Sequence, residues 1–187
     1  MVDVSAVLVT RGDVDLQPIL DLLPFDDVVI WDNSERENMK TYGRHLAERE
    51  CKHDVIYHQD DDLLFRDFDG LLAAYEPGRI TANMPSPWYE QMSYDKKRQV
   101  MLGAGSLIDR GLAQEAFDRY LAVYPFDDDF ITYCDCVVGA LVLSFRVDLG
   151  YEILPQATWP GRMSTVPGCW ERKDMMDARA FQIRDAG

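Results

Sequence analysis

Residues 55–65 read Val-Ile-Tyr-His-Gln-Asp-Asp-Asp-Leu-Leu-Phe, and this stretch decides the predicted fold. Four residues suited to a buried strand are followed by Gln59 and three carboxylates, Asp60, Asp61 and Asp62. Adjacent carboxylates repel one another unless a divalent cation lies among them, and oxygen ligands favour Mg²⁺ or Mn²⁺ over zinc. The alternative is a polar turn or the solvated start of a helix, where aspartate is also common.

Length and charge limit the classes of protein to consider. A chain of 187 residues with 47% hydrophobic residues indicates one globular domain with a real core. The net charge of −14 argues against unaided nucleic-acid binding, because phosphate contacts need clustered Lys and Arg. An anionic substrate would therefore need a metal ion or a local group of cations.

The cysteines and the N-terminal residues indicate a reducing, soluble setting. Cys51, Cys134, Cys136 and Cys169 form no CxxC pair and no zinc spacing with the histidines, which predicts reduced, packed thiols. The N-terminal residues show no basic segment ahead of an apolar one, and no run is long enough for a membrane span. We expect a cytoplasmic protein.

The N-terminal third alternates strands and helices. Apolar, β-branched runs predict strands at residues 4–10, 27–31 and 55–58. Helical spacing of Leu16, Ile19, Leu20 and Leu23 predicts a helix after the first strand, and a second is expected at about residues 41–50. Such units form parallel sheets, in which ligands bind beyond the carboxyl ends of the strands. Thr10-Arg11, Asp32-Asn33 and the acidic triplet are thus expected to gather along one edge.

The middle of the chain continues this pattern less clearly. We predict a helix at residues 68–75, strands at 79–83 and 100–108, and a helix at about 110–120. Residues 84–97 contain Pro85-Ser86-Pro87-Trp88-Tyr89, which indicates either a flap or acceptor-binding loop, or a surface excursion with Trp88 in the core.

Three features of the C-terminal part have two interpretations each. Asp127, Asp128 and Asp129 favour a solvated turn over a metal site. Asp135 precedes an apolar helix at 137–145, where it serves either the helix dipole or a substrate. After a strand-like run at 147–154, the tail at 155–187 is predicted to be irregular, with a short helix at 173–181. Its clusters of tryptophan, glycine and cation either fold across the site or pack on the surface.

The order of these features resembles the nucleotide-sugar-dependent glycosyltransferases of the GT-A fold, over about residues 4–145. The acidic triplet after the third strand is similar to the family's Asp-x-Asp motif. Residues 28–33, Val-Val-Ile-Trp-Asp-Asn, together with the triplet and the Cys-Asp helix, more narrowly resemble the exostosin-like hexosaminyltransferase branch. The resemblance implies a single α/β, Rossmann-like domain with a mostly parallel central sheet flanked by helices.

The resemblance also implies residue roles. Asp62 would bind Mn²⁺ or Mg²⁺, and Asp135 would be the catalytic residue, acting as a base or stabilising an oxocarbenium-like centre. The donor nucleotide and sugar would contact the following residues: Thr10, Arg11, Asp32, Asn33, Arg44, Asp60, Asp61 and Gly105. The chain departs from the family by having no histidine in its C-terminal segment. Arg172 and Lys173 would hold the diphosphate instead.

The function implied is metal-dependent transfer of a sugar from a nucleotide diphosphate donor, with UDP-sugar preferred, to a carbohydrate or other hydroxyl acceptor. Residues 1–83 would form the nucleotide-binding half, 84–154 the acceptor side, and 155–187 a tail folding over the site. Two alternatives stay open: a sugar nucleotidyltransferase, and a non-catalytic nucleotide- or carbohydrate-binding domain. The first usually needs a glycine-rich basic loop after strand one, which Thr10-Arg11-Gly12-Asp13 matches poorly.

Overall fold

A six-stranded sheet forms the centre of the protein, for which a computed structural model describes residues 2–85 and 100–186. The strand order is β2-β1-β3-β6-β5-β7. Its strands are β1 (Val4–Thr10), β2 (Asp27–Asp32), β3 (Val55–Asp60), β5 (Ile80–Asn83), β6 (Ala104–Asp109) and β7 (Ser144–Val147). β6 runs antiparallel to both of its neighbours and all other pairs are parallel, so the sheet is mostly parallel. A second, two-stranded sheet pairs β4 (Leu63–Leu64) with β8 (Glu152–Ile153).

Helices cover both faces of the central sheet. They are α1 (Gln17–Leu20), α2 (Tyr42–Ala47), α3 (Phe68–Ala73), α4 (Leu112–Leu121), α5 (Asp128–Leu141) and α6 (Cys169–Ala186). Single 3-10 turns occur at Glu48–Glu50, Pro155–Thr158 and Met163–Thr165. Along β1, Val7 belongs to the core cluster under α2, α4, α5 and α6, whereas Ala6 faces the cluster under α3. This alternation explains why the strand is apolar at every position.

The predicted α/β architecture with a mostly parallel, helix-flanked sheet agrees with the structure. β1, β2 and β3 begin at or within one residue of their predicted positions, because runs of β-branched residues bounded by polar loops leave little freedom in assignment. The third predicted helix, at 68–75, is present as α3, with Asp67 accepting a hydrogen bond from the Gly70 amide as its cap.

Several C-terminal predictions were wrong in their boundaries. The acidic triplet at 127–129 is not a solvated turn, because Asp127 caps α5 and the next two residues occupy its first turn. Tyr133 interrupts this helix with non-helical angles, and Asp135 lies after that break. The tail is not mainly irregular, since α6 begins at Cys169 and continues to Ala186. The predicted flap at 84–97 lies mostly outside the described residues.

Two further observations concern the chain as a whole. Cys51, Cys134, Cys136 and Cys169 are all buried free thiols. No helix within residues 2–85 and 100–186 has the length and hydrophobicity needed to cross a bilayer.

Asp27 ties the start of β2 to its surroundings. Its Oδ2 accepts hydrogen bonds from the Ser5 hydroxyl at 2.6 Å and from the Lys52 amide at 2.8 Å. The Lys52 amide, then the Ser5 hydroxyl, lower the pKa of Asp27 to about 2, against the opposing effect of burial. The ionised carboxylate therefore joins β1, β2 and the segment that precedes β3.

We predict that Asp27→Asn lowers the free energy of unfolding by about 1–2 kcal/mol at neutral pH, because two charge-assisted bonds are weakened. A carboxyl with a lowered folded-state pKa stabilises the fold above its unfolded pKa, and this contribution is lost as the pH falls through the folded value. The difference between wild type and variant should therefore shrink as the pH is lowered from about 4 towards about 2. Urea unfolding over a pH series measures it.

Asp26→Asn is the matched control. The Asp26 side chain is 82% exposed, and its one polar contact among the described residues is the His53 ring, at 3.2 Å. Its substitution should change stability by less than about 0.5 kcal/mol. Equal effects at positions 26 and 27 would contradict the role given to Asp27.

Candidate functional site

The carboxyl ends of β1, β2 and β3 lie side by side. Thr10 pairs with Asp32, Val9 pairs with Asp60, and the Asn33 amide donates to the Thr10 carbonyl at 2.9 Å. The three polar segments that the sequence singled out therefore meet at one edge of the sheet. The acidic triplet continues from β3 into this edge and does not extend into bulk solvent, since Asp61 is 4% exposed.

Asp32 and Asn33 organise the loop after β2. Asp32 Oδ1 accepts hydrogen bonds from the Ser34 amide and hydroxyl, at 2.8 and 2.7 Å. Asn33 donates through Nδ2 to the carbonyls of Thr10 and Lys40, and its Oδ1 accepts from the Met39 amide. Both side chains remain partly exposed at the sheet edge. The loop is thus held in place by the residues predicted to frame a nucleotide.

The three carboxylates of the triplet have different surroundings. Asp60 is paired with Arg44, and Asp61 Oδ1 accepts from Arg162 Nη1 at 2.7 Å. Asp62 forms no ion pair with any residue of the described ranges. Asp61 is therefore neutralised by an arginine, whereas Asp62 has no cationic partner of its own among the described residues.

Electrostatics single out Asp62 as well. Burial, followed by the charges of Asp60 and Asp61, raises the pKa of Asp62 to about 7. Burial also raises the pKa of Asp61, against the opposing effects of the Thr10 hydroxyl and Arg162. One oxygen of Asp61, Oδ2, is buried without a hydrogen-bond partner among the described residues. An excess of carboxylate charge with only oxygen donors fits a hard divalent cation such as Mn²⁺ or Mg²⁺.

Arg44 connects the triplet to helix α5. Its guanidinium is almost fully buried, donates to Asp60 through Nη2, and places Nε 3.5 Å from Asp135 Oδ2. Burial alone would lower the pKa of Arg44, but Asp135 and Asp60 raise it above the usual value. In return, Arg44 and His45 lower the pKa of Asp135, which burial alone would raise. Asp135 is thus an anion at neutral pH, with 24% of its side chain exposed.

Asp135 has a second partner on α2. His45 Nε2 lies 3.0 Å from Asp135 Oδ1, and His45 Nδ1 lies 2.7 Å from Glu48 Oε1. Burial opposes protonation of His45, but Asp135 and Glu48 among other neighbours raise its pKa well above the usual value. As an imidazolium, His45 donates from Nδ1 to Glu48 and from Nε2 to Asp135, so both of its ring nitrogens are hydrogen-bonded. Sequence reasoning missed His45, although its position directly after Arg44 was a signal.

Two glycines at the start of β6, Gly103 and Gly105, have separate roles. A Cβ at Gly103 would lie 2.0 Å from an Asp60 oxygen, so Gly103 allows the triplet to approach the backbone. Gly105, the predicted donor contact, is buried with φ +96° and faces Phe65 and Tyr57. Its conformation and packing account for glycine at this position.

The cations of the tail divide into two groups. Arg162 contacts Asp61 of the triplet and lies 3.4 Å from Asp13. Asp13 also pairs with Arg11, directly after β1, at 2.7 Å. Arg172 and Lys173, which were predicted to hold the diphosphate, instead contact Asp129 at 3.9 Å and Asp177 at 3.2 Å on the α5–α6 side. The described structure therefore brings Arg162, which sequence reasoning did not select, to the site.

Comparison with known proteins adds one structural likeness. The structure is similar to the solved structure of the mannosyltransferase PcManGT from Pyrobaculum calidifontis in complex with GDP-Man and Mn²⁺. The TM-score is 0.55 at 11% sequence identity, covering 98% of this chain and 73% of that one. The chain shares the fold of that protein. No protein-family model and no curated protein matches the sequence, and the likeness does not extend to the exostosin-like branch.

We predict that Arg44→Gln lowers the free energy of unfolding by about 3 kcal/mol, because it leaves Asp60 and Asp135 near each other without their shared cation. In the double variant with Asp135→Asn, the loss of unfolding free energy should be smaller than the sum of the two single losses by about 1 kcal/mol or more. Both substitutions remove the same ion pair. Urea unfolding of the two single variants and the double variant measures this coupling.

Arg49→Gln provides the control on the same side of the chain. Arg49 is exposed and its contact with Gln114 is 3.5 Å long, so we expect a change below about 0.5 kcal/mol. Strictly additive effects of the Arg44 and Asp135 substitutions would argue that the buried ion pair does not stabilise the fold.

Proposed function

We propose that this protein is a metal-dependent glycosyltransferase that moves a sugar from a nucleotide diphosphate sugar to a hydroxyl acceptor. The observation that carries the proposal is the acidic triplet at the shared edge of β1, β2 and β3. It lies on a fold similar to that of a mannosyltransferase solved with GDP-Man and Mn²⁺. The exostosin-like assignment is not needed for this proposal.

The departing diphosphate defines what the site must supply. A nucleotide sugar breaks its C1–O bond as negative charge accumulates on the leaving phosphates, so the site needs positive charge there rather than a protein nucleophile. A divalent cation held by Asp62 would neutralise that charge. Asp60, directed by Arg44, and the partly exposed Asp32 would bind the donor's ribose and sugar hydroxyls. These assignments follow from their position at the sheet edge.

Asp135 is the proposed catalytic carboxylate. Its ion pairs with Arg44 and His45 keep it ionised and fix its orientation beside the triplet. Because base strength falls as the pKa falls, a carboxylate held by two cations is better suited to stabilising positive charge on the sugar than to accepting a proton. We therefore favour electrostatic stabilisation of an oxocarbenium-like centre over general-base catalysis.

The proposed donor is a UDP-sugar or a GDP-sugar. The sequence favoured UDP-sugars, whereas the similar mannosyltransferase structure contains GDP-Man. The loop after β2 presents Asp32 and Asn33 for recognition of base and ribose, and these two side chains suit either base. Both nucleotides therefore belong in the binding test, and the acceptor is a hydroxyl compound.

We predict that Mn²⁺ tightens binding of UDP or GDP to the wild type and that Asp62→Asn removes this metal-dependent gain, by at least about tenfold in Kd. The reason is that the variant keeps the shape of Asp62 but removes the charge that attracts the ion. Isothermal titration of both nucleotides with and without Mn²⁺ measures the effect. Asp69→Asn, an exposed residue of the first turn of α3, removes the same charge as a control and should bind as the wild type does.

We predict separately that Asp135→Asn leaves metal-dependent nucleotide binding intact while slowing donor turnover by about a hundredfold or more. The measurement is release of UDP or GDP from the corresponding sugar nucleotides in the presence of Mn²⁺. Unchanged turnover in this variant would exclude a catalytic role for Asp135. Nucleotide binding without turnover by the wild type, with every donor and metal, would favour the non-catalytic binding domain.

A further inference from the structure

A second group of potential ligands lies beneath the acidic edge. His45 and Glu48 are three positions apart across the end of α2, and His58 faces them from β3. One ligand atom from each lies within 4.8 Å of the others, and all three residues are buried. Glu48 Oε1 is shared, at 2.7 Å from His45 Nδ1 and 3.1 Å from His58 Nε2.

His58 is the member whose bonding is incomplete. Its side chain is fully buried, and neither ring nitrogen has a hydrogen-bond partner within the described ranges. Nε2 approaches Glu48 closely, but the contact lacks hydrogen-bond geometry. A buried imidazole without partners costs stability, so a ligand for Nε2 would relieve an existing penalty.

A pocket reaches two members of this group, His45 and Glu48, and no residue of the acidic triplet lines it. It has a volume of about 160 Å³ and is lined by His45 and Glu48, together with Arg49, Arg110, Gln114 and Phe117. This space accommodates several water molecules, because one needs only about 10–15 Å³. An ion entering there would reach Glu48 and His45 without crossing the donor site, and a water molecule would be available as its fourth ligand.

We propose that His45 Nδ1, Glu48 Oε1 and His58 Nε2 form a binding site for Zn²⁺ or a similar first-row transition ion, distinct from the hard-cation site at Asp62. Two imidazoles and one carboxylate are a ligand set that zinc accepts and Mg²⁺ avoids. Ligands at about 2.0–2.1 Å from tetrahedral zinc are about 3.3 Å apart. The observed separations of 2.7 and 3.1 Å need only a small expansion.

The surroundings of His45 fit this assignment. A metal-bound histidine typically donates its other ring N–H to a carboxylate, and His45 Nε2 already lies 3.0 Å from Asp135 Oδ1. The ion would replace the proton that His45 Nδ1 shares with Glu48, and that proton would leave to solvent. The negative charges of Glu48, Asp135 and Asp60 would then be balanced by Arg44 and the divalent ion.

Zinc stoichiometry after equilibrium dialysis of the full chain, measured by mass spectrometry, tests the proposal. We expect one tightly held Zn²⁺ per chain, with affinity reduced at least about tenfold in Glu48→Gln and in His58→Gln. His53→Gln is the matched control, because His53 contacts Asp26 near the surface and lies outside the group. Wild-type affinity in His58→Gln would overturn the site.

Cobalt spectroscopy of the wild type keeps the test valid if the variants fold poorly. Co²⁺ bound by two imidazoles and a carboxylate in a four-coordinate site absorbs strongly in the visible, whereas octahedral Co²⁺ on oxygen ligands absorbs weakly. Strong absorption that zinc abolishes would support the proposal. Weak absorption only, or no bound zinc, would refute it.

The two proposed metal sites can be tested independently of each other. Asp62→Asn should keep the zinc stoichiometry while losing Mn²⁺-dependent nucleotide binding, and His58→Gln should show the reverse. Loss of zinc in Asp62→Asn would assign the ion to the acidic triplet and contradict the second site. Absence of nucleotide binding in the wild type would weaken the proposed transferase function without affecting the zinc result.

Discussion

The buried guanidinium of Arg44 is the contact on which the candidate site depends. An isolated cation in that position would be very costly, so the fold must bring Asp60 and Asp135 to it from the end of β3 and from α5. The two carboxylates are 75 positions apart in sequence numbering and belong to different layers of the molecule. The requirement to pair one charge therefore fixes the acidic edge of the sheet relative to the helix that carries the proposed catalytic residue.

Charge at this edge links stability to function. Asp62 in an unfolded chain ionises near pH 4, but in the fold its pKa is raised to about 7. A carboxyl with a raised folded-state pKa loses stability as the pH rises between these two values, because the folded state retains the proton longer. At neutral pH the protein carries this cost whenever no cation is bound. A bound divalent ion would recover it, which couples ion binding to the stability of the loop.

Sequence reasoning succeeded where local pattern determines structure. Apolar β-branched runs identified β1, β2 and β3, and parallel pairing then required their polar ends to meet. It found only the middle of α6, predicting a helix at 173–181 within a helix that spans Cys169–Ala186, because the many charged residues along this segment leave no apolar stripe to read. It also failed to select Arg162, whose contact with Asp61 spans 101 positions and depends on how the chain crosses the loop. The break at Tyr133 has no local signal such as proline or glycine.

Residues 154–162 cross the loop after β3, and their contacts distinguish Asp61 from Asp62. Asp61 is held by Arg162, and its carbonyl accepts from Gln156 at 3.1 Å, while the Asp62 carbonyl accepts from the Leu154 amide at 2.8 Å. These bonds, with the β4–β8 pairing, hold the loop from one side, and Arg44 holds Asp60 from the other. Recruiting Asp61 to a cation would break a buried ion pair, whereas Asp62 has none to lose among the described residues. We therefore propose a structural role for Asp61 and the role of cation ligand for Asp62.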